Sequence, residues 1–246
     1  EYIAWVDWGG IALVSEQQLS EWEKATKVIV TAPYGMVLEQ PTLESMPLSD
    51  VVMGNMLRLL HTHENYYELA FPDGRKGFLP RNQAQPLDAW MAQRELSESS
   101  LAQTAKRMMG IPYLWGGTSY KGMDCSGFTK TVFYLHGWVL PRDASQQVYT
   151  GELVEATADW STLRVGDLLF FGTPATDTTP ERVTHVGMWM GNKEFIHASG
   201  YIRIGSMDPT QPHFDEVNHD RFLRAKRLLN TSKGIRFLTN HGFVAK

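Results

Sequence analysis

The chain has 246 residues, 43% hydrophobic and 20% charged, a globular balance that excludes a disordered tail or a collagen-like repeat. Lys and Arg number 23 against 27 Asp and Glu, a formal charge of −4, so there is no basic excess to neutralise a phosphate backbone and nucleic acid is not expected as a partner. A single cysteine excludes an intrachain disulfide framework and a Cys-rich zinc module, and no apolar run approaches the roughly 20 residues of a membrane-spanning helix.

The length fits two or three compact modules. The chain opens on Glu1 rather than Met, and Tyr2-Ile-Ala-Trp-Val6 alternates like the middle of a strand. No charged segment followed by an apolar one marks a signal peptide, so the sequence is expected to be the mature or trimmed part of a longer product. Its compartment, bacterial envelope or cytoplasm, stays open. A short helix is expected over 20–24. Apolar or alternating runs at 28–31, 35–38, 51–60, 66–71 and 77–79 predict strands, punctuated by Pro33, Pro41, Pro47, Asn65 and Pro72-Asp-Gly74. Five short strands with tight turns predict a small barrel. From 95 to 109, Leu101, Ala105 and Met108 fall at helical spacing, and Gly110 with Pro112 stops the helix. Beyond this the texture is α+β. A helix is predicted over 126–136, with Phe128, Val132 and Leu135 on one face and Gly137 as its C-cap. Strands are predicted over 165–171, 183–190, 194–199 and 201–204, and the tail from Leu223 is read only as closing structure.

The chemistry centres on the lone thiol. Cys125 lies in Met123-Asp-Cys-Ser-Gly-Phe128, where a Gly-rich loop meets a predicted helix. A thiol there faces unpaired N–H groups and the positive end of the helix dipole, which favours thiolate and can steady an oxyanion. Of eight histidines, His185 and His197 fall on adjacent predicted strands joined by a turn at Gly191-Asn192. A hairpin brings the two rings together, so that one accepts the thiol proton and the other fixes its tautomer. His61 and His63 alternate on a strand without further ligands and are read as surface residues. Arg221 and the basic residues up to Arg227 are read as a solvated face.

In order, Pro112-Tyr-Leu-Trp-Gly-Gly117, Asp124-Cys-Ser-Gly-Phe128, Leu140-Pro-Arg-Asp-Ala-Ser-Gln147, Gly166-Asp-Leu-Leu-Phe-Phe171, Thr184-His-Val-Gly187 and Phe195-Ile-His-Ala-Ser199 resemble the NlpC/P60 cysteine peptidases, papain-like α+β hydrolases of bacterial cell-wall peptides. The resemblance implies Cys125 as nucleophile, His185 as general base and His197 as orienting residue, with Tyr113 beside the nucleophile as an oxyanion aid. Tyr66-Tyr67 with Asp73-Gly74 and Gly77-Phe78 resembles the second half of a bacterial SH3 (SH3b) module, and Tyr2 to Trp5 the closing strand of an earlier copy. The implied organisation is the end of one SH3b module with a connector over 1–27, an SH3b barrel over 28–90 and a papain-like catalytic domain over 91–246.

SH3b modules ahead of such a domain resemble γ-D-glutamyl-L-diamino acid endopeptidases, which cut stem peptides bearing a free L-Ala amine. That implies peptidoglycan-derived peptides as partners. Asp124 is then the counter-ion of the ammonium, with Ser126, Ser145 and Trp115 at the pocket, and Tyr2, or else Tyr66 or Tyr67, as its wall. A buried carboxylate left without its partner predicts strong discrimination against N-blocked peptides. Asp124 is equally an N-cap of the helix. No metal or organic cofactor is required, and a monomer is expected. Two other functions stay open: wall binding by the SH3b modules with a vestigial hydrolase, and amidase or acyl-transfer chemistry with the same thiol.

Overall fold

A computed structural model describes residues 5–239 and the backbone of Gly242–Phe243; Tyr2 lies outside them. The chain divides into two compact units at Arg94 and Glu95. In the first, α1 (Glu16–Lys24) starts at a capping box in which Ser15 accepts from the Gln18 amide and the Gln18 side chain accepts from the Ser15 amide. Seven strands follow: β1 (Lys27–Val30), β2 (Tyr34–Leu38), β3 (Pro47–Val52), β4 (Met56–Thr62), β5 (Tyr66–Ala70), β6 (Lys76–Pro80) and β7 (Ala84–Pro86), then α2 (Leu87–Gln93). The apolar run at 51–60 is two strands rather than one. Gly54, at φ +92°, turns the chain between them.

The strands are ordered β3-β2-β6-β5-β4-β1-β7 in one antiparallel sheet around Val28, Val30, Val37, Leu69 and Leu79. This order is open-ended, so the closed barrel expected from the sequence is not found among the described residues. Its two ends, β3 and β7, show no pairing to each other, and a single Leu38–Phe78 pair attaches β2 to β6.

The second unit contains α3 (Glu98–Lys106), the short pair β8 (Thr118–Ser119) and β9 (Gly122–Met123), α4 (Cys125–Tyr134), β10 (Trp138–Val139), α5 (Ala144–Gln147) and β11 (Glu152–Val154). The remaining elements are β12 (Leu168–Thr173), β13 (Arg182–Gly191), β14 (Glu194–Ser199), β15 (Tyr201–Ser206), α6 (Glu216–Asp220), β16 (Phe222–Arg227) and β17 (Arg236–Thr239). Leu101, Ala105 and Met108 are buried, as their spacing predicts. The main sheet runs β11-β16-β12-β13-β14-β15. The tail read as closing structure thus supplies β16, an interior strand between β11 and β12. Alternation divides β12 between two cores: Leu168 and Phe170 pack with Phe128 and Val132 of α4, while Leu169 and Phe171 pack with Trp189 and Phe195. Asn192 and Lys193 both have positive φ, 52° and 60°, the backbone that closes a two-residue hairpin between β13 and β14.

Candidate active site

Cys125 is the first residue of α4, and Asp124 is the N-cap, accepting from the Gly127 amide at 2.7 Å. The helix packs against β13, and the register between β13 and β14 runs only as far as Met188 opposite Ile196. Toward His185 the ladder stops, and the Val186 N–H bonds the Cys125 sulfur. The amides of Cys125 and Ser126 add to that bond. Sulfur thus sits among N–H groups, as a helix N-terminus should place it.

Burial nevertheless outweighs those bonds. It pushes the thiol above its ordinary range, and the neighbouring Asp124 carboxylate adds to the rise. Burial also holds His185 well below the usual imidazole range, followed by the electrostatic influence of His197, Arg221 and Arg203. The thiolate expected from the dipole is therefore not the resting form. Both shifts favour the uncharged forms, a neutral thiol and a neutral imidazole.

His185 and His197 meet as the hairpin predicts. His185 Nε2 lies 2.8 Å from His197 Nδ1, with the rings edge to face. Both rings share their face of the sheet with aromatics: His185 is 5.8 Å from Phe171 and His197 is 4.8 Å from Phe195, centroid to centroid. His197 is completely buried, and its pKa is lowered to about 4 by burial, with Arg203 and Arg221 reinforcing the fall and Asp215 opposing it. The His185–His197 contact uses Nε2 of His185, so Nδ1 is the ring atom available to take a thiol proton.

Tyr113 is half-buried, and its phenol is held protonated by burial and by the charges of Cys125 and Asp124, with Arg142 opposing. It is a donor at the sulfur's side of the site. Asp124 differs most from expectation. Arg142 grips it bidentately, Nη2 to Oδ2 at 2.6 Å and Nη1 to Oδ1 at 3.1 Å. Gly116 N–H donates to Oδ2 at 3.0 Å and Ser126 Oγ to Oδ1 at 3.2 Å. Burial alone would raise this carboxyl, but Arg142 and the Gly127 and Gly116 amides hold it below the usual range. The pocket read as acidic therefore has its carboxylate already neutralised. Arg142, which also donates to Ser126 Oγ at 3.1 Å, is the residue that sequence reasoning left without a role. It stood inside the 140–147 motif, but nothing in the sequence paired it with a carboxylate 18 positions earlier.

Ser145 is exposed on α5, whereas its neighbour Gln147 is fully buried. Gln147 Nε2 donates to the carbonyls of Ser126 and Pro141, and its Oε1 accepts from Thr129 Oγ1 at 2.8 Å, binding α5 to the start of α4. Trp115 is 85% exposed on the loop before Gly116, so it is free of the core. Trp189 is core, stacked on Trp160. In the first unit Tyr67 is buried in that unit's own core, while Tyr66 is partly exposed. His61 and His63 are exposed, and no group of three metal-ligating side chains occurs among the described residues. Arg227 is not on a solvated face. It forks onto the buried Asp167, Nε to Oδ1 at 2.9 Å and Nη2 to Oδ2 at 2.7 Å.

Residues 110–222 match the NlpC/P60 family. The chain carries an NlpC/P60 domain. It is 32% identical over 189 residues to the γ-D-glutamyl-L-lysine dipeptidyl-peptidase of Bacillus cereus, covering 76% of this chain and 54% of that protein. With the protein of the same name from Bacillus subtilis it shares 32% over 143 residues, 58% of this chain and 44% of the relative. The chain thus spans about half the length of these curated relatives. A crystal structure of an NlpC/P60 family protein from Bacillus cereus superposes with a TM-score of 0.69 at 29% identity, over 87% of this chain and 67% of the other. No helix among the described residues is long and apolar enough to cross a membrane.

Proposed function

We propose that the chain is a cysteine endopeptidase that hydrolyses the bond between γ-D-Glu and the L-diamino acid of cell-wall stem peptides with a free N-terminal L-Ala. The observation that carries this reading is the 2.8 Å His185–His197 contact on the strand whose Val186 amide meets the Cys125 sulfur. The names of the relatives support the bond. In this reading 91–246 is the catalytic domain, 28–90 an SH3b module and 1–27 the end of an earlier one.

His185 Nδ1 takes the Cys125 proton as sulfur attacks the γ-carbonyl carbon of D-Glu. The Cys125 amide at the helix N-terminus and the Tyr113 hydroxyl donate to the oxyanion. Collapse returns the proton to the leaving amine of the diamino acid and leaves a thioester on Cys125. Water, deprotonated by the same ring, releases the L-Ala-γ-D-Glu acid and restores the thiol. No cofactor enters these steps. The L-Ala-γ-D-Glu end carries an ammonium and an α-carboxylate, and Asp124 and Arg142 supply one charge of each opposite sign. Ser126 orders that pair, and Ser145 and Trp115 line the pocket.

Because Arg142 already neutralises Asp124, an N-acylated peptide forfeits one ion pair without stranding a buried carboxylate. The expected loss in kcat/KM is about 1.5–3 kcal/mol, roughly tenfold to a hundredfold. Mass spectrometry of products from free and N-acetylated L-Ala-γ-D-Glu-diamino acid peptides tests this. Equal rates would refute the ammonium site, and turnover by Cys125→Ala above a trace background would refute the thiol mechanism.

A further inference from the structure

Nε2 of His197 is buried and, among the described residues, makes no hydrogen bond of normal geometry. The group facing it is the carboxylate of Asp215, with Oδ2 3.5 Å away. Asp215 is itself buried and lies 18 residues beyond His197 in the chain. It is held from several sides. Its amide donates to Ser206 O at 2.9 Å, and as N-cap of α6 its Oδ1 accepts from the Asn218 amide at 3.1 Å. Asn218 Nδ2 donates to Oδ2 at 2.8 Å, and Arg203 Nη2 lies 3.6 Å from the same oxygen. Arg221 in turn donates to Asn218 Oδ1 at 3.1 and 3.2 Å. Gly205 lets this segment close on β15, since a Cβ there would sit 3.3 Å from Asp215 Oδ2.

A bare imidazole lone pair pointed at a carboxylate is repelled, whereas an N–H is attracted. The Asp215 charge therefore selects the tautomer of His197 with its proton on Nε2. Nδ1 is then an acceptor, so the atom it meets, His185 Nε2, must be the donor. His185 Nδ1 is left bare, as a base for the thiol requires. We infer that Asp215 is a positioning residue, the fixed end of a chain Cys125–His185–His197–Asp215 that sets the tautomer of both rings and stabilises the imidazolium formed when sulfur gives up its proton. Asp215 takes no proton itself. The inference rests on reading Cys125 and His185 as nucleophile and base.

Asp215→Asn is the suitable variant, because Asn caps a helix as well as Asp and occupies the same space. Its Nδ2 donor facing His197 would favour the opposite tautomer. Carboxylates that orient functional histidines are worth roughly tenfold to a hundredfold. A fall of that size at pH 7 is expected both in kcat/KM for L-Ala-γ-D-Glu-diamino acid peptide, with KM little changed, and in the rate at which iodoacetamide alkylates Cys125. Both deficits should shrink as the pH rises and the thiol ionises without help. The other charges around this site are Arg203 and Arg221 at His197, and Asp124, Arg142 and Tyr113 at the sulfur; all are unchanged in the variant. An unaltered pH profile and alkylation rate in a folded Asp215→Asn protein would overturn the inference. If the peptide is not cut but alkylation still depends on Asp215, the inference stands and the substrate reading falls. A wild-type thiol that reacts no faster than in His185→Ala would overturn both. Nitrogen-15 spectra of the wild-type histidines need no variant: a protonated Nε2 on His197 supports the inference, and a protonated Nδ1 contradicts it.

Discussion

At Asp124 one carboxylate has two tasks, capping α4 and pairing with Arg142, and substitutions can separate them. Asn keeps the cap but gives up the charge, so Asp124→Asn should fold normally while removing the carboxylate charge that the Arg142 guanidinium, 17% exposed at its side chain, grips. Arg142→Lys is the complementary change: it retains the charge but cannot reproduce a fork that reaches both carboxylate oxygens and Ser126 Oγ. Each is expected to reduce kcat/KM on the free dipeptide-bearing substrate by roughly tenfold or more, against a loss of about 1.5–3 kcal/mol for a charge-assisted bond. Steady-state kinetics on free and N-acetylated peptides check the assignment. If Asp124 meets the ammonium, Asp124→Asn should erase the difference between the two substrates, whereas Arg142→Lys should preserve it. An Asp124→Asn enzyme that still discriminates would remove Asp124 from that contact.

The start of α4 is the element on which the site depends, and its first turns are tied down by neighbours distant in sequence. Gly127 lies against the loop from Tyr113 to Gly117, and a methyl group there would collide with the backbone oxygen of Gly117 while also pressing on Asp124 Oδ1. A backbone oxygen cannot rotate out of the way. Gly127→Ala should therefore cost about 1–3 kcal/mol in stability and displace the loop carrying Tyr113, with a large loss of turnover; thermal melts and kinetics together check both halves. Removing Gln147 acts on the same helix from the other side. Gln147→Leu deletes three buried hydrogen bonds, to the Ser126 and Pro141 carbonyls and from the Thr129 hydroxyl, leaving that hydroxyl only its bond to Ser126 O, and a destabilisation of about 2 kcal/mol or more is expected in denaturant titrations. These elements also show what was legible beforehand. The helical spacing of Leu101, Ala105 and Met108, the apolar face of α4 and the strand at Glu194–Ser199 were readable because each is a local pattern. The two histidines met because one tight turn fixes the register between their strands. Arg142 and Asp215 were not assigned, since each finds its partner only after the chain has folded back over 18 residues. The break at Gly54 was missed for the opposite reason: the apolar run continues through it, and only a positive φ marks the turn. The tail was missed because β16 is rich in Lys and Arg, which a sequence reading assigns to solvent, although Arg227 folds onto buried Asp167.

For the molecule as a whole, the buried histidines should dominate the response to mild acid. His185 lies well below the ordinary imidazole range and His197 at about 4, with burial as the largest cause of both shifts. Between pH 6.5 and about 4 the unfolded chain therefore binds protons that the folded second unit refuses, and stability must fall as the pH drops through that window. Asp124 acts in the same direction but at lower pH: its folded carboxyl lies below the usual range, so its contribution is intact at pH 5 and is lost only as the pH falls further. His197 alone should thus account for about 2 kcal/mol between pH 8 and pH 5, which for a unit of this size lowers the midpoint by about 5 °C. The effect belongs to the unit that holds Cys125, so the suitable probe is heat-induced labelling of that thiol. His185→Gln should flatten part of the pH dependence by removing one of the two rings. A labelling midpoint that stays constant from pH 8 to pH 5 in the wild-type protein would show that the rings titrate in the folded state as they do in the unfolded chain, and the lowering of both rings by burial would have to be abandoned.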